Sequence, residues 1–346
     1  MPERVRITEV GPRDGLQNEP GVIPTAEKVR LVELCCATGV DEVEATSFVS
    51  PKWVPQLGDA AEVVTRLVTK EALQWPERAD TLLLSVLIPN RHGLDSLLKT
   101  EGDLSKAQWS EESVRSKDEG IEMWIADASF VRKISFFTAA SETFSRRNTN
   151  ATIAQSLDRL AEMLRGMPER PECLAKKVRA YISCVIACPF EGPIHPRRVA
   201  EIAAKLKAMG VDEIDLGDTI GAADVASTVH LLEVLRDELG ELWFSGQQVT
   251  LHLHDTFNRA SDCVKAALDL GVRSFDGSVA GLGGCPYAST PGKRAPGNIS
   301  TETLVKTVHA AGYETGVDLD KLAIAADYAR SIVAKSRTSA EGRASA

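Results

Sequence analysis

The chain has 346 residues, of which 43% are hydrophobic, and a formal net charge of -9 at pH 7. This length fits one large α/β domain or two average domains. The acidic balance argues against a nucleic-acid-binding or anionic-membrane-binding surface, so we expect neither kind of partner. No apolar run is long enough to cross a bilayer and no signal-peptide pattern opens the sequence, so we expect a cytoplasmic protein.

Short β-rich segments alternate with amphipathic helical segments along most of the chain. The predicted strands cover residues 5–10, 41–45, 81–87, 131–138, 178–186, 213–217, 248–253 and 273–279. The clearest predicted helices cover residues 25–39, 196–210, 223–239 and 298–312, and most of them close on a glycine. This alternation predicts a (β/α)8 TIM barrel over residues 1–316 rather than a doubly wound sheet.

Two parts of the chain do not fit this repeat. Residues 95–130 are charged and lack clear periodicity, which predicts a surface insertion that is partly helical from Ser105 onward. Residues 317–335 predict an appended C-terminal helix. Residues 336–346 are small and polar, which predicts a disordered tail.

Polar motifs follow five of the predicted strands. They are "GPRDG" after the first, Glu44 in the second, "GDTIG" after the sixth, His252 and His254 at the end of the seventh, and "GLGGC" with Asn298 after the eighth. The carboxyl ends of barrel strands share one face, and that face holds the active site of TIM-barrel enzymes. The convergence of these groups therefore predicts an enzyme.

The two histidines are the clearest candidate metal ligands. They are spaced two residues apart on a strand, so both side chains project to the same side. In a closed barrel, Asp14 and Asn298 come from neighbouring positions around the ring. Two imidazoles, a carboxylate and an amide oxygen favour a divalent ion such as Mg²⁺ or Mn²⁺. The alternative is a solvated or hydrogen-bonded histidine pair without a metal.

Two further groups are candidates for catalysis. Arg13 is a permanent cation that could stabilise an enolate or oxyanion, whereas the alternative is a surface ion pair with Asp14 in a turn. Cys285 follows a glycine-rich stretch that is not a nucleotide fingerprint, because Pro286 occupies the place of the third glycine. Its thiol could donate or accept a proton, whereas the alternative is an inert cysteine in a turn.

Six motifs occur in the order found in one known family. They are "VGPRDGLQNEP", "EATSFVSPKWVPQLGDA", "SCVIACPFEG", "LGDTIG", "HLHDT" and "VAGLGGCPYA". The chain resembles 3-hydroxy-3-methylglutaryl-CoA lyases over residues 5–90 and 131–335. The related acyl-transfer synthases typically read RDGEQ and HxHND, whereas Leu16 and Thr256 take the distinguishing places here.

The resemblance implies a TIM barrel, a homodimer, and a metal-dependent retro-Claisen cleavage of an acyl-CoA substrate to acetyl-CoA and acetoacetate. It implies that Mg²⁺ or Mn²⁺ is bound by Asp14, His252, His254 and Asn298. It assigns enolate stabilisation to Arg13, proton transfer to Cys285, further acidic catalytic positions to Glu44 and Asp218, and substrate contacts to Arg13, Gln17 and Thr219. The insertion at residues 95–130 is absent from the typical family pattern.

Three other functions remain open on the sequence. The same chemistry could act on a longer or differently substituted 3-hydroxyacyl-CoA. A Claisen-type synthase would run in the condensing direction, although it predicts the RDGEQ and HxHND forms. A catalytically silent barrel would serve as a sensor or scaffold, although it predicts that some of the candidate ligands are lost.

Overall fold

The protein is described by a computed structural model that covers residues 3–68, 82–112, 131–167, 173, 176–284 and 297–344. Parallel strands close into a barrel in which successive strands are neighbours and the last pairs with the first. These strands are β1 (Arg6–Glu9), β2 (Glu42–Ser47), β3 (Leu83–Leu87), β4 (Lys133–Ala139), β5 (Lys177–Ser183), β6 (Glu213–Asp218), β7 (Val249–Leu253) and β8 (Ser274–Gly277). The prediction of a (β/α)8 TIM barrel is confirmed.

Helices surround the barrel and return the chain to each next strand. They are α1 (Thr25–Ala37), α2 (Ala60–Val68), α3 (Arg91–Glu112), α4 (Glu142–Thr149), α5 (Ile153–Gly166), α6 (Pro196–Ala208), α7 (Val225–Leu239), α8 (Glu241–Ser245), α9 (Ala260–Asp269), α10 (Thr301–Ala310) and α11 (Leu319–Ala344). After β5, a two-residue strand at Ala187–Cys188 pairs antiparallel with Gly192–Pro193. Within the described residues, no helix combines the length and the hydropathy needed to span a membrane.

The alternation of side chains along each strand separates an apolar layer from a polar interior. On β7, Val249, Leu251 and Leu253 are buried in the apolar core, which lies between the strands and the helices. Thr250 and His252 lie between them in sequence and point into the barrel, where they bond to side chains of other strands.

The interior of the barrel is charged, whereas branched apolar side chains fill most TIM barrels. The Lys133 ammonium bonds the carboxylates of Glu42 and Glu213, with its Nζ 2.7 Å from Glu213 Oε2. Arg179 is fully buried, and its Nη2 lies 2.7 Å from Glu213 Oε1. Buried charges are tolerated only when they are paired, so these groups depend on one another.

The prediction of a disordered tail was wrong for residues 336–344, because α11 continues to Ala344. The Ser336 hydroxyl donates a hydrogen bond to the Gly21 carbonyl at 2.7 Å. The Arg337 guanidinium makes two bonds to the Glu19 carboxylate, at 2.9 and 3.0 Å. The polar composition of this segment is therefore explained by polar partners on the loop after β1.

The predicted insertion at residues 95–130 is in part a regular element of the barrel. Helix α3 begins at Arg91, well before Ser105, and reaches Glu112, so it is the helix that follows β3. It carries buried Leu94, Leu97 and Leu104 on one face, which anchors it to the core. Residues 113–130 lie outside the described residues.

Candidate active site

A cavity of about 550 Å³ opens at the carboxyl ends of the strands. Six of the residues singled out by the sequence line it, namely Arg13, Asp14, Gln17, Thr219, His252 and His254. They come from the loops after β1 and β6 and from the end of β7. The barrel thus brings together groups that are far apart in the chain, as the predicted topology requires.

The loop after β1 is shaped by a single π-helical turn at Gly11–Gly15. The Val10 carbonyl accepts hydrogen bonds from the backbone amides of Asp14 at 2.7 Å and Gly15 at 3.3 Å. A Cβ on Gly11 would lie 2.7 Å from Glu9 Oε1, so no side chain fits there. Such π turns are frequent at functional sites, and this one directs Arg13 and Asp14 into the cavity.

The Glu9 carboxylate joins this turn to the loop after β8. It accepts hydrogen bonds from the backbone amides of Gly11 at 2.7 Å and Val279 at 2.8 Å, and from the Thr301 hydroxyl at 2.6 Å. Burial raises the pKa of Glu9 to about 7 despite these three donors. Glu9 is not among the residues that line the cavity, but its hydrogen bonds hold together two of the loops that form it.

Asp14, His252 and His254 form a cluster that could hold a metal ion. Each offers one ligand atom, and these atoms lie within 4.8 Å of one another. The amide nitrogen of Asn298 lies 2.8 Å from Asp14 Oδ2. His254 Nδ1 and Asn298 Oδ1 are buried and have no hydrogen-bond partner among the described residues. Such unpartnered buried atoms, in a mixed N/O set, fit a divalent cation.

Gly283 lies against the side chains of Asn298 and Asp14. A Cβ at this position would lie 2.8 Å from Asn298 Nδ2 and 3.4 Å from Asp14 Oδ2. Its φ of +103° also lies in the region that favours glycine. Because residue 283 is a glycine, its backbone can lie close to the side chains of Asn298 and Asp14, and the cluster is compact.

Arg13 is held between two carboxylates at the edge of this cluster. Its Nη1 donates to Asp14 Oδ1 at 2.6 Å, its Nε donates to Glu44, and its guanidinium lies 5.3 Å from the centre of the Tyr181 ring. Burial alone would lower the pKa of Arg13, but Glu44 and Asp14 together raise it. The result is a fixed, permanently charged cation that faces the cavity.

The protonation states of Asp14 and His254 suit metal binding. Burial opposes ionisation of Asp14, but Arg13 and the two histidines lower its pKa to about 2. Burial and the neighbouring His252 lower the pKa of His254 to about 4. Burial also acts to lower the pKa of His252, yet the hydrogen bond to Asp276 and the nearby Asp14 raise it overall. An ionised carboxylate and a neutral imidazole are the forms that ligate metals.

The other predicted site residues lie at different distances from the cavity. Gln17 Nε2 lies 3.4 Å from Asp14 Oδ1, and the Thr219 hydroxyl accepts a hydrogen bond from the Cys184 amide at 2.8 Å. Asp218 does not line the cavity, because its carboxylate caps a turn by accepting from the Ala222 and Ala223 amides, both at 2.9 Å. Burial raises the pKa of Asp218 to about 6. Cys285 lies outside the described residues.

Two residues near the cluster were not singled out from the sequence. Asp276 on β8 lies 3.2 Å from His252 Nδ1, measured to its Oδ2. The Tyr181 hydroxyl on β5 lies 3.3 Å from both Glu44 Oε2 and Asp276 Oδ2. The strand sequences contain a pattern that could have indicated them. Arg179, Tyr181 and Asp276 are polar residues at inward positions of otherwise apolar segments.

Comparison with known proteins identifies the family of the chain. The family model described as HMGL-like matches residues 4–328. The chain belongs to the HMGL-like family. Its sequence is 39% identical, over 324 residues, to the mitochondrial hydroxymethylglutaryl-CoA lyase of Gallus gallus, and the alignment covers 93% of this chain and 91% of that protein.

Solved structures of this family share the whole barrel. The hydroxymethylglutaryl-CoA lyase of Pseudomonas aeruginosa matches with a TM-score of 0.78 and 35% identity, covering 100% of this chain and 99% of that one. The HMG-CoA lyase of Acinetobacter baumannii, solved in complex with coenzyme A and 3-methylmalate, matches with a TM-score of 0.76 and 29% identity. That match covers 96% of this chain and 92% of the other.

Proposed function

We propose that the chain is a divalent-metal-dependent lyase that cleaves 3-hydroxy-3-methylglutaryl-CoA to acetyl-CoA and acetoacetate. The observation that carries this proposal is the meeting of Asp14, His252 and His254 with the buried cation of Arg13 at one cavity. Its relatives support the choice of substrate. Proteins that align with this chain over nearly their whole length are named hydroxymethylglutaryl-CoA lyases.

Asp14, His252, His254 and Asn298 would hold the ion, with Mg²⁺ or Mn²⁺ as the proposed metal. A bound divalent ion supplies a Lewis acid that lowers the pKa of the tertiary hydroxyl of the substrate. The site suits this assignment because Asp14 is ionised, His254 is neutral, and the buried oxygen of Asn298 has no hydrogen-bond partner among the described residues.

Arg13 would stabilise the negative charge that appears when the carbon–carbon bond breaks. The bond electrons pass to the thioester carbonyl, and the acetyl-CoA fragment leaves as an enolate. A cation that is already oriented costs no reorganisation at that moment. Glu44 and Asp14 provide this orientation, because each bonds a different nitrogen of the guanidinium.

We assign the remaining predicted residues as follows. Gln17 and Thr219 line the cavity and would hydrogen-bond the substrate. Asp218 would act indirectly, because it fixes the turn that begins with Thr219. The proton that converts the enolate to acetyl-CoA would come from Cys285, a role that rests on the family resemblance.

The same cavity has positive charge suited to a CoA substrate. Arg147 and Arg159 are exposed and line it together with the cluster residues. In a chain with a net charge of -9, an anionic substrate needs such locally placed cations. We propose that these arginines meet phosphates of the CoA moiety. The homodimer implied by the resemblance stays a prediction that sedimentation equilibrium can test.

The proposal is tested by supplying 3-hydroxy-3-methylglutaryl-CoA with Mg²⁺ or Mn²⁺ and measuring both products. We expect acetyl-CoA and acetoacetate in equal amounts, and neither product after treatment with EDTA. A chain that releases no acetoacetate with either metal would refute the proposal. Turnover on a series of 3-alkyl analogues would separate the methyl substrate from longer ones.

A further inference from the structure

A buried carboxylate lies directly beneath the candidate metal cluster. Asp276 is 2% exposed, and its Oδ2 lies 3.2 Å from His252 Nδ1. The other ring nitrogen, His252 Nε2, lies 4.0 Å from Asp14 Oδ2 at the cavity. The imidazole of His252 thus spans two carboxylates, one in the barrel interior and one at the site.

Asp276 is itself fixed from below by two side chains of β5. Arg179 Nη1 lies 3.3 Å from Asp276 Oδ1, and the Tyr181 hydroxyl lies 3.3 Å from Asp276 Oδ2. The Arg179 guanidinium is fully buried and is also bonded by Thr8 at 2.9 Å and by Glu213. The Asp276 carboxylate is therefore charge-compensated. Its contacts in the barrel also fix the direction from which it can accept a hydrogen bond.

His254 has no equivalent support. Its Nδ1 is buried without a hydrogen-bond partner among the described residues, and its ring centre lies 5.4 Å from that of His252. The two histidines therefore differ in their hydrogen bonding, although their spacing in the sequence gives no reason to distinguish them. Only His252 is joined to the charged interior of the barrel.

We infer that Asp276, held by Arg179 and Tyr181, is a positioning residue for the metal centre. By accepting the Nδ1–H of His252, it keeps the lone pair of Nε2 directed toward Asp14 and the cavity. A carboxylate behind a ligating histidine fixes the tautomer and orientation of the ring, and its loss typically weakens metal binding about 10- to 100-fold. This inference rests on the proposed metal centre.

The test compares Mn²⁺ binding to the substrate-free protein, measured by electron paramagnetic resonance, in three forms. Asp276→Asn should raise the Mn²⁺ dissociation constant about 10- to 100-fold. Thr8→Val is the matched control, because it removes a buried bond to Arg179 but leaves the pair of Asp276 and His252 intact, and its constant should stay within a few-fold of wild type. Equal Mn²⁺ affinity of Asp276→Asn and wild type would overturn the inference and leave the proposed function standing. A wild type that binds no Mn²⁺ would overturn both.

A second measurement needs no variant of Asp276. Long-range ¹H–¹⁵N correlation spectra of the metal-free wild type report which nitrogen of each imidazole carries hydrogen. The signals of His252, assigned as those absent from His252→Gln, should show hydrogen on Nδ1. A signal pattern with hydrogen on Nε2 alone would contradict the inference even if Asp276→Asn fails to fold.

Discussion

His252 in β7 and His254 directly after it face the same side because side chains alternate along extended backbone. The order of strands in a closed barrel then brings Asp14 and Asn298 to them, so the cluster could be predicted from sequence spacing and topology. The bond from His252 to Asp276 could not be predicted in this way, since it depends on the register of β8 against β7 and on a side-chain rotamer.

Among single residues, Gly283 should be essential for the compact arrangement of the metal cluster. Gly283→Ala places a methyl group 2.8 Å from Asn298 Nδ2, in addition to the backbone strain at a φ of +103°. We expect Mn²⁺ binding to weaken by at least about 10-fold, as it does when support of metal ligands is lost. Isothermal titration calorimetry would measure this change.

The matched control for this variant is Gly210→Ala. Gly210 also has a positive φ, of +86°, but a Cβ there meets nothing within 4 Å. It should lose a little stability from backbone strain and keep its Mn²⁺ affinity. If both variants bind Mn²⁺ like wild type, the close approach at Gly283 does not shape the site.

At the scale of elements, the loops after β1 and β8 are held together by Glu9, which is not among the residues that line the candidate cavity. The sequence predicted polar loops at both places, but Glu9 looked like an ordinary strand residue. The role of Glu9 depends on the direction of its side chain. Strand β1 directs this side chain outward, toward α10 and the loop after β8, and the sequence alone does not give these contacts. The α11 helix beyond Lys335 escaped prediction for a similar reason, since its polar residues bond to Gly21 and Glu19, which are distant in sequence.

Glu9 should give the stability of the protein a pH dependence. Burial raises its pKa in the folded state from 4.5 to about 7, so the folded protein binds this proton more tightly than the unfolded chain does. The contribution is fully present below about pH 4.5 and is lost as the pH rises through about 7, at a total cost of about 3 kcal/mol. Glu9→Gln should remove this loss.

Urea unfolding of wild type and Glu9→Gln across this pH range measures the difference. The free energy of unfolding of the variant, taken relative to wild type, should increase as the pH rises from about 4.5 to 7. Glu201→Gln, on the exposed face of α6, serves as the control and should follow the wild-type profile. A difference between Glu9→Gln and wild type that does not change with pH would contradict the assignment.

At the scale of the whole molecule, the barrel could be predicted because strands and helices are local features with visible periodicities. The charged interior could not be predicted with the same ease, because each charge is paired with a residue on another strand. Lys133, for example, bonds Glu42 and Glu213, which lie 91 and 80 positions away in the chain. The interior ion pairs and the site above them are joined through Arg179 and Asp276.

Removing the Lys133 cation should destabilise the whole barrel. Lys133→Met would remove one of the two buried cations that Glu42 and Glu213 share, leaving these nearly fully buried carboxylates with Arg179 alone between them. Breaking a buried ion pair in this way typically costs about 3–5 kcal/mol. The free energy of urea unfolding would report this loss.

The control for this variant is Lys99→Met, which removes an exposed pair with Asp103 on α3. Exposed pairs contribute about 0–1 kcal/mol, so this variant should unfold close to wild type. Equal losses for the two variants would show that the interior charges of the barrel do not depend on one another.

The proposed function requires the buried cation of Arg13, beside the metal cluster, for carbon–carbon cleavage. The rate of acetoacetate release from 3-hydroxy-3-methylglutaryl-CoA should therefore be compared between wild type and Arg13→Gln, both saturated with Mn²⁺. We predict metal-dependent release by wild type and a kcat at least about 100-fold lower for Arg13→Gln. A metal-loaded wild type that releases no acetoacetate, or an Arg13→Gln variant as fast as wild type, would contradict the claim.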